Sequence, residues 1–195
     1  MEVYSKLIKD SGGACSYEKI INIQNNYVNE NTKTIVEIGV YNGCFLLPFA
    51  KLNPNILFYG IDPYISYTQN DIININLDNI AKSISQNQNL LNSIYDRLLL
   101  NIKNFNLDNI HIIRDFSKNT AIQNIDILHI DGNHDYNFVL NDLNNNHENI
   151  VKNGIIVMDD TDWISVNKAM VDFLQYNTNF VLEKKYDTYS ILKKI

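Results

Sequence analysis

Acidic residues and one histidine stand where this sequence can do chemistry. Glu37 heads the run Val36-Glu37-Ile38-Gly39-Val40-Tyr41-Asn42-Gly43. Gly39 lets the backbone turn without a Cβ clash, and Gly43 lets a following helix pack close. With Tyr41 and Asn42 between them, the loop can offer main-chain atoms to a ligand at a helix N-terminus. An ordinary strand-to-helix turn would read the same way. Asp62 adds what the turn lacks: it follows Gly39 by 62 − 39 = 23 positions and ends the next apolar run. An acid so placed accepts hydrogen bonds from ribose hydroxyls, so the pair points to a nucleoside-containing ligand. A pyrophosphate site wants GxGxxG, whereas here the spacing is Glu37-x-Gly39-x-x-x-Gly43. An acid at the head of the turn would repel phosphate and suits a cationic ligand.

A second group lies further on. Asp131 ends the fourth apolar run, and Asp159 and Asp160 end the fifth. Neighbouring parallel strands would bring these three carboxylates to one edge, where they repel unless a cation or protons intervene. A hard divalent ion with oxygen ligands, such as Mg²⁺, would relieve this and could hold two substrate oxygens. Capping of loops or helices by one or two of them is the alternative. His134, three residues past Asp131, titrates near neutrality and is the candidate general base, a role typically contributing about 10²–10⁴ in rate. Asp135 is its rival. His111 and His129 fall inside strand-like runs and His147 on a helix face, so these three read as packed or edge residues. Trp163 follows the acid pair and reads equally as a pocket wall or a structural residue.

The elements that must position these groups alternate. Strand-like runs at 34–38, 56–61, 110–113, 125–130 and 155–158 are near-continuous apolar stretches, as expected when helices cover both faces of a parallel sheet. Between them Leu91, Ile94, Leu98, Ile102 and Phe105 form one helical face, and Tyr136, Val139, Leu140, Leu143, His147 and Ile150 another. Val166, Met170, Phe173 and Leu174 follow as a shorter helix. Two last strands, 180–184 and 189–192, are separated by four residues, which favours an antiparallel hairpin. Residues 1–33 read as an N-terminal helical cap with Ile20, Ile21, Ile23 and Tyr27 apolar. The long polar stretch 64–88 reads as a lid or substrate wall. Pro48 sits early in the helix after Gly43, so that helix starts late or bends.

A chain of 195 residues with 45% apolar residues fits one domain, 1–195, with a full core. No apolar run is long enough to span a bilayer, and a cytoplasmic location is the expectation. The net charge of −6, with 16 scattered Lys and Arg, argues against nucleic acid as a partner. Cys15 and Cys44 show no metal-type or disulfide spacing.

The segments VEIGVYNG, YGIDPY, IDILHIDGNHDY followed by NDL, and NGIIVMDDTDW stand in one order between residues 34 and 163. In that order the chain resembles the class I S-adenosylmethionine-dependent methyltransferases, and within them methyltransferase family 24, which acts on small molecules and sugars. The resemblance implies a Rossmann-like, doubly wound, mostly parallel seven-stranded α/β sheet with a C-terminal antiparallel hairpin. It implies that Glu37, Gly39, Tyr41, Asn42 and Gly43 hold the methionine part of S-adenosylmethionine, and that Asp62 holds the ribose. Asp115, Phe116 and Ser117 would flank the adenine, although a turn and a helix cap would read alike. Asp131 would touch the cofactor and act in catalysis with His134 or Asp135, and Asp131, Asp159 and Asp160 would bind the metal. Some metal-dependent relatives carry an Asp where this sequence has Asn133. The implied reaction is O-methylation of a small-molecule or sugar hydroxyl, with a homo-oligomer as the implied assembly. A methyltransferase on protein or nucleic acid is one alternative, but Asp131-Gly132-Asn133-His134 lacks the Pro-Pro-aromatic pattern of adenine modification. A non-catalytic cofactor-binding protein and an oxidoreductase complete the set.

Overall fold

The computed structural model describes residues 17–66 and 87–195. Residues 1–16 of the expected cap and 67–86 of the expected lid, Cys15 included, lie outside the described residues. Helix α1 (Tyr17–Tyr27) precedes strand β1 (Thr34–Ile38), α2 (Leu46–Leu52) and β2 (Leu57–Ile61). Then come α3 (Gln88–Asn104), β3 (Ile110–Ile113), β4 (Ile125–Ile130), α4 (Tyr136–Asn146), β5 (Ile150–Met158) and α5 (Ile164–Tyr176). Strands β6 (Phe180–Lys185) and β7 (Ser190–Lys194) close the chain. The sheet has seven strands in the order β3-β2-β1-β4-β5-β7-β6. The first five are parallel, and β7 is antiparallel to both β5 and β6. This is the doubly wound sheet with an antiparallel hairpin that the sequence predicts.

Alternation along each strand divides the core in two, because successive side chains point to opposite faces. Ile35, Ile127, Ile155 and Ile191 face one way and pack with Ile20 and Ile23 of α1, Phe49 of α2 and Leu98 of α3. Their neighbours Val36, Leu128, Ile156 and Leu192 face the other way, against Val139 and Leu143 of α4 and Val166, Met170 and Phe173 of α5. Helix α2 does start late: Leu46 opens it, so Pro48 falls in its first turn, where the missing N–H costs nothing.

Two boundaries differ from the sequence reading. The predicted helical face ending at Ile150 runs past the helix, since α4 stops at Asn146 and a single 3₁₀ turn (His147–Asn149) leads into β5. Ile150 opens β5 and pairs with Ile125, after which the register jumps to Ile127 with Ile155. Asn153, with φ of 64°, bends the strand there, as expected of an Asn in the left-handed region at a bulge. The polar stretch Lys152-Asn153 hid the first half of the strand. His111 is an exposed residue on the edge strand β3, stacked on Tyr59.

Candidate active site

The ends of β1, β2, β4 and β5 bring the candidate residues to one edge. At Gly39 the backbone turns with φ of +86°, a conformation that favours glycine. A Cβ there would lie 2.1 Å from the Asp131 carbonyl oxygen and 2.4 Å from Gly132 Cα. The β1 and β4 loops are therefore pressed together, and Glu37 and Asp131 belong to one site. Gly43 serves a different purpose: a Cβ there would lie 2.5 Å from Leu98 Cδ1 and 2.9 Å from Leu47 Cγ. It admits α3, as close packing after the turn requires. Asn42 is buried, and its Oδ1 accepts from the Cys44 thiol.

Asp62 holds the turn from the β2 side. Its Oδ2 accepts the Tyr41 N–H at 2.9 Å and its Oδ1 the Tyr64 N–H at 2.8 Å. Tyr41 and Tyr64 both have φ of 49°, and the Tyr64 hydroxyl donates to the Tyr41 carbonyl at 2.7 Å. Burial raises the Asp62 carboxyl, and these backbone N–H groups pull it back in part. Asp115 accepts from the Phe116 N–H and from Asn119 Nδ2, which hold its carboxyl below the usual range. Asp115 thus ties Phe116, just ahead of the short 3₁₀ turn Ser117–Asn119, to the last residue of that turn, leaving the partly exposed Phe116 ring as a flat face. Ser117 donates to the buried Asp142 of α4.

Under the turn runs a buried polar chain that the sequence reading did not contain. Lys19 of α1 forms an ion pair with Asp159 Oδ2, and its Nζ lies 3.3 Å from His129 Nε2. An ammonium only donates, so Nε2 accepts and the ring proton sits on Nδ1, donating to Glu37 Oε1 at 3.0 Å. Burial and then the Lys19 charge drive the His129 pKa down to about 3, so the ring is neutral. Glu37 is 2% exposed. Burial and the nearby Asp131 raise its carboxyl well above the usual range. Its Oε2 is buried with no hydrogen-bond partner among the described residues. An orphaned acceptor of this kind fits a cationic ligand group such as an α-ammonium. The sequence signal for Lys19 was a charged residue beside Ile20 on the buried face of α1.

The expected group of Asp131, Asp159 and Asp160 does not assemble as a set of three. Asp131 is close enough to Asp159 for their charges to interact, and Asp159 is held by Lys19. On its other side Asp131 Oδ1 lies 3.6 Å from His134 Nε2, which is 2.9 Å from Asp160 Oδ2. Asp131, His134 and Asp160 converge, with ligand atoms within 4.8 Å of one another. That set pairs two carboxylates with an imidazole, a poorer match to Mg²⁺ than oxygens alone. Partial burial and the Asp159 charge push Asp131 well above the usual carboxylate range. Burial opposes a charge on His134, but Asp131 and Asp160 outweigh it and lift the imidazole to about 10. Both carboxylates thus favour the charged imidazole over a free base. Its ring lies 4.5 Å from that of Trp163, and its carbonyl accepts from Ser165 of α5 at 2.6 Å. Asp135 is buried at the N-terminus of α4, where its carbonyl receives the Phe138 and Val139 N–H groups.

The family model for a methyltransferase domain, methyltransferase family 24, matches residues 36–161, more than half of the chain, from the Glu37 turn to the Asp159–Asp160 pair. The chain belongs to methyltransferase family 24. No curated protein matches this methyltransferase in sequence. Solved structures share its fold. The O-methyltransferase NovP is 13% identical with a TM-score of 0.65, over 97% of this chain and 79% of that one. The S-adenosylhomocysteine-bound methyltransferase PaMTH1 of Podospora anserina is 12% identical with a TM-score of 0.68, over 100% and 88%. The calicheamicin methyltransferase CalS11 is 15% identical with a TM-score of 0.57, over 98% and 91%. No helix among the described residues is long and apolar enough to cross a membrane.

Proposed function

We propose that this methyltransferase uses S-adenosylmethionine to methylate a hydroxyl group of a small molecule or sugar. The observation that carries the reading is the orphaned, buried Glu37 Oε2 at the head of the Gly39 turn, with Asp62 beside it. Glu37 would receive the α-ammonium of the cofactor, and the Asp62 carboxylate would receive the ribose hydroxyls. The exposed Phe116 ring would cover the adenine. NovP, an O-methyltransferase by name, and PaMTH1, bound to S-adenosylhomocysteine, share the fold and support the reading.

When bound, the cofactor supplies a methyl group on a sulfonium, whose C–S bond breaks as the substrate oxygen forms its bond to carbon. The chain's residues handle the proton. Asp131, with its proton affinity raised toward neutrality, accepts it from the hydroxyl. His134, already charged and held by Asp160, stabilises the developing negative oxygen. This reassigns the base from His134 to Asp131 while keeping both in the site. Trp163 walls the His134 ring, so the oxygen meets the pair from one side. Most of the acceleration comes from holding oxygen and methyl in line.

Isothermal titration with S-adenosylhomocysteine tests the reading. Micromolar binding that collapses in Asp62→Ala is expected, and no binding to the wild type would overturn it. Transfer of labelled methyl to a panel of glycosides and phenols, with amines as the control class, tests the hydroxyl preference.

A further inference from the structure

The interacting acids Glu37, Asp131 and Asp159 call for a positive charge, and the chain brings one of its own. Lys19 is 6% exposed on the face of α1 that also carries Ile20 and Ile23. Its ammonium is held from three directions: by the Asp159 carboxylate at the end of β5, by His129 Nε2 on β4, and by aromatic faces. The Phe45 ring centroid is 5.6 Å from Nζ and that of Tyr189, just ahead of β7, is 6.0 Å away. Phe45 in turn stacks on His129 at 3.9 Å, and Asn22 of α1 donates to the Tyr189 hydroxyl. The cage is built from α1, the start of α2, β4, the end of β5 and the start of β7.

This shell suits an ammonium and not a divalent metal. Ring faces attract an ammonium, more strongly where it is desolvated. Mg²⁺ demands about six oxygens in octahedral array and keeps several of its waters. Among the described residues the shell around Lys19 Nζ includes one carboxylate, one imidazole and two rings. We propose that the Lys19 ammonium fills the cation position of the acid edge, so that this methyltransferase holds Asp159, and through it Asp131, without a divalent ion. The role of that edge in methyl transfer rests on the reading above; the occupancy of the position does not. Lys19 is a positioning residue, reaching the reacting atoms through Asp159 and Asp131.

The test is a titration of the metal-stripped, full-length protein with Mn²⁺, following free Mn²⁺ by electron paramagnetic resonance. The wild type is expected to leave Mn²⁺ free up to about 1 mM, weaker than built oxygen sites. Lys19→Met, which empties the position beside Asp159, is expected to bind one Mn²⁺ at least about tenfold more tightly, since a cation no longer repels it. Lys19→Met combined with Asp159→Asn should lose that gain. Stoichiometric Mn²⁺ binding by the wild type would overturn the proposal, and so would a folded Lys19→Met as blind to Mn²⁺ as the wild type. If circular dichroism shows Lys19→Met unfolded, the wild-type titration decides alone. S-adenosylhomocysteine binding by the wild type in excess chelator, measured on the same preparation, reports separately on the methyltransferase reading.

Discussion

Replacing Asp142 by Asn should stabilise the fold at neutral pH and destabilise it in acid. Asp142 is 8% exposed on α4, and its partner Ser117 is a neutral hydroxyl. Burial lifts its carboxyl from the ordinary 3.8 to about 6, the Ser117 bond offsetting only part of this. Because the folded pKa lies above the unfolded one, the stability that the protonated form contributes is complete below pH 3.8 and lost as the pH passes about 6. At about 1.36 kcal/mol for each pH unit, ionisation costs the fold about 3 kcal/mol at pH 8. Asn keeps the acceptor for Ser117 but brings an amide N–H₂ that needs a partner, at a cost of about 1–2 kcal/mol. The net gain at pH 8 should be about 1–2 kcal/mol, roughly 2–8 °C in Tm. Urea denaturation of both proteins at pH 8 and pH 4 measures it. A gain of equal size at both pH values, or a loss at pH 8, would refute the electrostatic reasoning. Asp142 lies under Ser117, in the segment assigned to the adenine, so the variant also shows whether this charge is kept for binding at the expense of stability.

Other perturbations separate the parts of the site. Gly39→Ala forces a left-handed alanine onto the Asp131 backbone and should cost about 3 kcal/mol or more in chemical denaturation, with loss of S-adenosylhomocysteine binding. Glu37→Gln keeps the bond from His129 but replaces the orphaned oxygen; affinity for S-adenosylhomocysteine should fall about 10- to 100-fold, the worth of one charge-assisted hydrogen bond. Methyl transfer should rise with pH as Asp131 ionises, at a pH well above the usual carboxylate range, and fall as His134 loses its proton near 10. Asp131→Asn should abolish the acid limb of that profile, and a limb that survives unchanged would assign the base elsewhere.

The fold was legible because its signals are local. Alternating apolar strands, the Gly39 turn and the four-residue link before the last strand each act within a short stretch of chain. Asp62 was legible for the same reason, since one β–α–β unit fixes where the acid after β2 must fall. Charge assignments were not, because they depend on contacts across the chain. Lys19 and Asp159 are 140 positions apart, and no spacing rule connects a helix before β1 with the end of β5. His134 looked like a base from its type alone. The approach of Asp131 and of Asp160, the latter with its backbone at φ of 49°, is what favours the charged ring. The first half of β5 was lost to polar residues around a bulge, where alternation fails.

The reversal of β7 orders assembly in time. Because β7 lies between β5 and β6, the sheet cannot be completed in sequence order as the chain emerges. Its antiparallel run puts Ser190 beside Met158, which brings Tyr189 to the Lys19 cage. The Thr188 carbonyl receives the Thr161 N–H at 2.9 Å, and Ser190 Oγ meets Thr161 Oγ1 at 2.9 Å. These contacts clamp the loop that carries Asp160. A nascent chain halted before residue 188 can hold the Gly39 turn, yet it lacks the clamp on that loop and one wall around Lys19. The loop that carries Asp160 therefore stays open until β7 has paired with β5.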